Sequence, residues 1–199
     1  YAEDYYGKKN IIAKPIIKWM HNKVDAVIVN DIAIQKSLKE YYNVNKPIFV
    51  LNNLFDKINL TAFNNKVDES PIKFKYITVG RLTKEKNTKD LIIAFSQLEN
   101  KETELEIIGD GPLRVQLENL ARELEVSDRV FFRGHQKNPF SFLYKANAFV
   151  FSSLNEGFPN VILEAMACDL PIISYHFKSG INTILQGGEN GMLIELGNV

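Results

Sequence analysis

From Lys73 onward, apolar runs of strand length alternate with stretches at helical spacing, and this alternation limits what the chain can fold into more than any other feature. Phe74 to Val79 reads as a strand, Thr88 to Leu98 as a helix, Leu105 to Ile108 as a strand, Leu113 to Leu124 as a helix and Val130 to Phe132 as a strand. The second helix repeats Leu113, Leu117, Leu120, Ala121 and Leu124 on one apolar face. The series continues through Pro139 to Lys145, Ala148 to Phe151, Pro159 to Cys168, Pro171 to Tyr175, Asn182 to Leu185 and Met192 to Ile194. Such a βα series predicts an α/β fold, a doubly wound parallel sheet covered by helices on both faces. In that architecture a ligand binds in the crevice outside the carboxyl ends of the strands.

The distinctive residues fall at those ends. Gly80-Arg81-Leu82 follows the first strand, with Lys86 in the loop behind it, a basic pair able to neutralise an anion; a charged, solvated loop is the plainer alternative. Gly109-Asp110-Gly111-Pro112 opens the next helix, but the third glycine of a dinucleotide fingerprint would fall at Arg114, so a tight strand-to-helix turn explains the run better. Gly134-His135-Gln136 follows Phe131 and Phe132, where His135 also reads as a polar loop residue.

The richest stretch runs from Leu154 to Cys168. The strand Ala148 to Phe151 ends at Ser152-Ser153, and Glu156-Gly157-Phe158-Pro159-Asn160-Val161 leads into a helix carrying Glu164. Gly157 allows close backbone approach, and Pro159 suits a first helical turn, where its missing N–H is no loss. Unpaired N–H groups and the helix dipole at such a start favour anions or hydroxyls. Glu164, with seven residues between it and Glu156, falls on the second turn, where a carboxylate can accept from both hydroxyls of a ribose. The bland alternative is two glutamates that complement a helix N-terminus and a solvated face.

This stretch, with Leu163-Glu164-Ala165-Met166-Ala167-Cys168 and Pro171-Ile172-Ile173, resembles the Glu, seven residues, Glu signature of retaining glycosyltransferases of the two-domain GT-B type, family 4. The resemblance implies that Glu156 contacts the donor sugar and Glu164 the nucleotide ribose. It also implies that Arg81 and Lys86 hold the donor pyrophosphate beside Gly80, and that the backbone of Gly134, His135 and Gln136 edges the base. Gly157, Phe158, Pro159, Asn160 and Val161 complete the implied donor site. One departure is Asp169, where the family more often has Gly; Asp tolerates a left-handed, helix-ending conformation, so the change costs little.

Residues 1–52 contain a strand candidate at Val24 to Val29, a cap at Asn30 or Asp31, a helix from Ile32 to Tyr42 and a strand at Ile48 to Leu51. By resemblance this is the tail of a first, acceptor-side domain, residues 53–71 are the linker, and residues 72–199 are the donor-binding domain. No proline follows Asn53, as the family usually has, and a chain that starts at Tyr1 suggests processing or truncation. Lys8, Lys9, Lys14, Lys18 and Lys23 among Ile12, Ile16, Trp19 and Met20 fit an ordinary helix with a solvated lysine face better than a membrane-surface helix.

Composition bounds the function. With 24 basic and 24 acidic residues no overall field draws the chain to nucleic acid. One cysteine excludes an internal disulfide and fits a reducing compartment, and three scattered histidines give a metal site little support. The expectation is a cytoplasmic enzyme, with peripheral contact at the cytoplasmic face of the membrane left open through the other domain. What the resemblance implies is a nucleotide-sugar donor as partner; because the Phe158-Pro159-Asn160 variant resembles bacterial enzymes that assemble surface polysaccharides or lipid-linked glycans, the donor is taken as a UDP-hexose or UDP-N-acetylhexosamine and the acceptor as a glycan or lipid-linked one. No cofactor or metal is expected. The alternatives are a phosphorylase or epimerase on the same fold and a non-catalytic nucleotide-sugar-binding module.

Overall fold

The computed structural model describes residues 10–53, 73–177 and 180–198, with side chains from residue 14. Most of the expected linker, residues 54–71, and the expected domain boundary at residue 72 therefore lie outside the described residues, as do Lys8, Lys9 and the Ile12 side chain.

The elements in chain order are α1 (Asn10–Asn22), β1 (Val27–Val29), α2 (Ile32–Glu40), β2 (Ile48–Val50), β3 (Phe74–Val79), α3 (Thr88–Ser96), β4 (Thr103–Ile108), α4 (Arg114–Glu123), β5 (Val130–Gly134), α5 (Phe140–Leu143), β6 (Ala148–Phe151), α6 (Asn160–Ala167), β7 (Ile172–Tyr175), α7 (Ile181–Leu185) and β8 (Met192–Ile194). Strands β1 and β2 form a small parallel sheet. The other six form one parallel sheet in the order β5-β4-β3-β6-β7-β8. The chain thus winds outward from β3 to one edge, returns to β6 beside β3, and winds outward to the other edge. That order reverses between β3 and β6, which is where a doubly wound sheet opens its crevice.

Both faces of the large sheet are buried, as continuous apolar strands require. Leu105 and Ile107 of β4 point into a core with Leu91, Ile92 and Phe95 of α3 and Leu117 and Ala121 of α4. Ile108, the next residue, turns to the opposite core, where Ile77, Phe149 and Phe151 pack with Ile162 and Ala165 of α6 and Ile181, Ile184 and Leu185 of α7. A third cluster, Leu38, Tyr42, Val44 and Ile48 with Val27 and Val29, closes the small sheet against α2.

The element ends differ from the sequence reading by a few residues. Strand β1 starts at Val27 and not Val24, α2 stops at Glu40, β2 at Val50 and α3 at Ser96, while β4 starts earlier, at Thr103. Strand β5 runs on to Gly134, so that glycine ends a strand and only His135 and Gln136 lie beyond it. Asp31 caps α2, its side chain accepting from the Ala33 N–H at 2.7 Å. Asp169, at φ 58°, ends α6 in the left-handed conformation its residue type tolerates. Among the described residues no helix is long and apolar enough to cross a membrane.

The Gly109-Asp110-Gly111-Pro112 turn is as tight as expected, and it braces the crevice. Gly109 has φ 137°, and a Cβ there would stand 1.9 Å from the Gly80 carbonyl oxygen. Gly109→Ala should therefore strain the backbone by about 1 to 3 kcal/mol and push the end of β3 outward as well. Urea denaturation measures this; a variant as stable as the wild type would show that the close approach is unimportant.

Candidate functional site

At the carboxyl ends of β3 and β6 two loops are sewn together. The Leu154 N–H donates to the Glu85 carbonyl at 2.9 Å, and Ser152 Oγ donates to the Lys86 carbonyl at 3.0 Å. These bonds bring Lys86, on the β3 loop, onto Glu156, on the β6 loop, although 70 residues separate them in the chain. Lys86 Nζ forms an ion pair with Glu156 Oε1, and Ser153 Oγ stands 2.8 Å from the same oxygen. Lys86 Nζ also lies 5.4 Å from the centroid of the Phe151 ring, over the negative face of its π system. The two charged side chains are only 26% and 21% exposed, so solvent screens their attraction less than at an open surface. Thr78, Gly80, Lys86, Thr88, Phe151 and Ser152 line a small cleft here.

Arg81 begins the same loop and is exposed; its guanidinium makes no hydrogen bond or ion pair among the described residues. Gly134 lies two strands away along the carboxyl edge, its carbonyl accepting from Gly109 N–H at 2.8 Å. At the usual strand spacing that is roughly 10 Å from Gly80. His135 is exposed, and Gln136 turns its amide back onto the Arg133 carbonyl at 2.8 Å. The structure thus gathers Gly80, Lys86 and Glu156 and sets Gly134, His135 and Gln136 apart along the same edge.

Helix α6 packs against β6 and β7. Two expectations about its start need correction. Pro159, buried, does not occupy the first turn but the capping position before it, with an extended ψ of 92°, and Asn160 is the first helical residue. Gly157 is not where backbones crowd: a Cβ there would meet Ile34 at 3.6 Å and Asn30 at 3.8 Å, ordinary contacts. The crowding falls on Gly180, where a Cβ would stand 2.6 Å from the Gly157 carbonyl oxygen, which Gly180 N–H approaches at 3.1 Å. Asn30 beside Gly157, Asn53 Nδ2 donating to Asn160 Oδ1 at 2.7 Å, and Thr183 Oγ1 at 3.4 Å from the fully buried Asp31 bring the small sheet against the α6 and α7 starts.

Glu164 sits on the second turn of α6, half-buried and without a hydrogen-bond or ion-pair partner among the described residues. Burial raises its pKa above the usual carboxylate value. One turn on, burial pushes the Cys168 thiol up to about 11, so it is held as the unreactive thiol. Among the described residues no group of three or more His, Cys, Asp or Glu gathers to hold a metal ion.

The model of the family described as "Glycosyl transferases group 1" matches residues 61–199. The chain belongs to the group 1 glycosyltransferases. It is 34% identical over 194 residues to an uncharacterized glycosyltransferase of Methanocaldococcus jannaschii, covering 93% of this chain and 47% of that protein. It is 31% identical over 198 residues to the N-acetylgalactosamine-N,N'-diacetylbacillosaminyl-diphospho-undecaprenol 4-alpha-N-acetylgalactosaminyltransferase of Campylobacter jejuni, covering 97% and 53%. Among solved structures it matches the apo lipopolysaccharide outer core galactosyltransferase WaaB with a TM-score of 0.70 and 27% identity, over 88% of this chain and 50% of that one. Anabaena Alr3699/HepE in complex with UDP and glucose has the same fold, at a TM-score of 0.78 and 23% identity, over 94% and 54%. The chain spans about half the length of these relatives, and its structural neighbours are GT-B glycosyltransferases.

In the sequence Ser152 and Ser153 stand only as the end of a strand. Their signal was position: two hydroxyls at the carboxyl end of a buried strand, where the backbone must leave the sheet.

Proposed function

We propose that this group 1 glycosyltransferase is a retaining enzyme of the Glu, seven residues, Glu type, and that these residues bind its UDP-sugar donor. The observation that carries the reading is the meeting of Lys86 and Glu156 at the point where the strand order reverses. One cation and one carboxylate there match a donor with an anionic diphosphate joined to a polyhydroxyl ring. Glu156 accepts from sugar hydroxyls; Arg81 and Lys86 neutralise the departing diphosphate; Glu164 takes the ribose diol; the Gly134 to Gln136 edge, roughly 10 Å along, meets the base. The acceptor hydroxyl attacks the anomeric carbon on the face the diphosphate leaves, its proton passing to the leaving phosphate oxygen, which yields a glycoside and UDP. The protein contributes positioning and charge.

The relatives act on N-acetylgalactosamine in one case and are named for lipopolysaccharide and capsule synthesis in others. They support a hexose or N-acetylhexosamine donor and a glycan or lipid-linked acceptor. UDP-bound proteins of the same fold support the nucleotide by fold-level analogy.

A thermal-shift panel of UDP, GDP, ADP and their sugars tests the reading, because a ligand that binds only the folded state raises apparent stability. UDP or a UDP-sugar should stabilise most, without added metal, and Arg81→Ala should weaken UDP about tenfold or more. A magnesium requirement combined with indifference to Arg81→Ala would remove the pyrophosphate assignment.

Glu164→Ala should cost ribonucleotides more than their 2′-deoxy analogues, since the hydroxyl that lost its acceptor is left unpaired at about 1 to 3 kcal/mol. Equal losses by calorimetry would take Glu164 off the ribose.

A further inference from the structure

The end of β6 carries two adjacent buried hydroxyls, Ser152 and Ser153, the second fully so. A buried hydroxyl needs a partner, and each has found one on a different part of the site. Ser152 Oγ donates to the Lys86 carbonyl at 3.0 Å. Ser153 Oγ lies 2.8 Å from Glu156 Oε1 and 3.1 Å from the Glu85 carbonyl, and it has one proton to give. The carboxylate is the nearer acceptor and, being charged, the stronger one. Giving the proton to Glu156 leaves the Glu85 carbonyl still served by Leu154 N–H at 2.9 Å. The loop that carries Lys86 is therefore tied down by two bonds in which Ser153 takes no part, whereas Ser153 reaches the Glu156 side chain directly.

We propose that Ser153 is a positioning residue for Glu156: its hydroxyl fixes the carboxylate where the donor sugar is met, and leaves the hold on the diphosphate to the Lys86 loop. This rests on the donor-site reading above. It separates two properties that damage to the fold would lower together, nucleotide affinity and turnover at the sugar.

The test compares Ser153→Val with Ser153→Thr in the complete protein, because the two side chains have nearly one shape and differ in a methyl against a hydroxyl. Calorimetry gives the affinity for UDP. Turnover is the hydrolysis of whichever UDP-hexose or UDP-N-acetylhexosamine the wild type hydrolyses fastest without acceptor, water standing in for the acceptor hydroxyl. Ser153→Val should lower kcat about tenfold or more while the UDP Kd stays within about twofold, and Ser153→Thr should recover most of the kcat. Equal kcat for the two variants, or a UDP affinity that falls in step with kcat, overturns the inference. A wild type that binds no UDP, or hydrolyses none of the UDP-sugars, removes the donor-site reading itself, and the inference with it.

Discussion

Replacing Lys86 by alanine should slow sugar transfer by about 100- to 1000-fold, the loss seen when a preorganised group that stabilises developing charge is removed. The ammonium does two things in the proposed site. It faces the charge that grows on the departing diphosphate, and it neutralises Glu156, whose carboxylate is only 21% exposed. Alanine takes away both, leaving a half-buried carboxylate beside an incoming diphosphate, so UDP binding should weaken as well as turnover. Because the two residues act as a unit, Lys86→Ala combined with Glu156→Ala should cost clearly less than the two single losses added together. Initial rates with a radiolabelled UDP-sugar and the complete protein, with calorimetric UDP affinities, supply the cycle. Strict additivity, or a Lys86→Ala loss below about fivefold, would show that the ion pair is decorative.

Phe149→Ala should destabilise the fold by about 3 to 5 kcal/mol, the range for emptying a buried aromatic site. Phe149 is fully buried in β6, between β3 and β7, and its ring stacks 6.2 Å from that of Phe151. The effect should reach the site, because Phe151 ends the same strand and Ser152 and Ser153, directly after it, hold Lys86 and Glu156 in place. Urea denaturation gives the stability, and UDP affinity well below the unfolding midpoint shows whether the strand end has shifted. A loss under about 1 kcal/mol would mean that the core relaxes around the cavity.

Period and punctuation made the large sheet readable. Leu105, Ile107 and Ile108 form the near-continuous apolar run of a strand buried on both faces, and the helices between strands show their own spacing. The left-handed end of α6 could be foreseen from Asp169, since few residue types accept that conformation. The site was legible as residues but not as an arrangement. No spacing rule connects Lys86 to Glu156; the pairing follows from the strand order, which sets the end of β3 beside the end of β6. That Gly157 itself has room for a Cβ is hidden in the sequence for a related reason. A glycine in a turn announces that some backbone comes close, but which glycine is crowded depends on a strand end and a helix start far apart in the chain, here Gly180 against Gly157. The serines are marked in the sequence only by their place at the end of a buried strand, since the partner that gives a buried hydroxyl its role is not visible there.

The seam between the small sheet and the large one holds two side-chain hydrogen bonds, Asn53 to Asn160 and Thr183 to Asp31, with Ile34 and Asn30 lying beside Gly157. Hydrogen bonds of this kind are each worth about 0.5 to 1.5 kcal/mol net, so these two add little to the stability of the fold. All of these contacts land within a few residues of the α6 and α7 starts. Any change in tilt between the two sheets would therefore reach the turn that carries Glu156 before it reached either core.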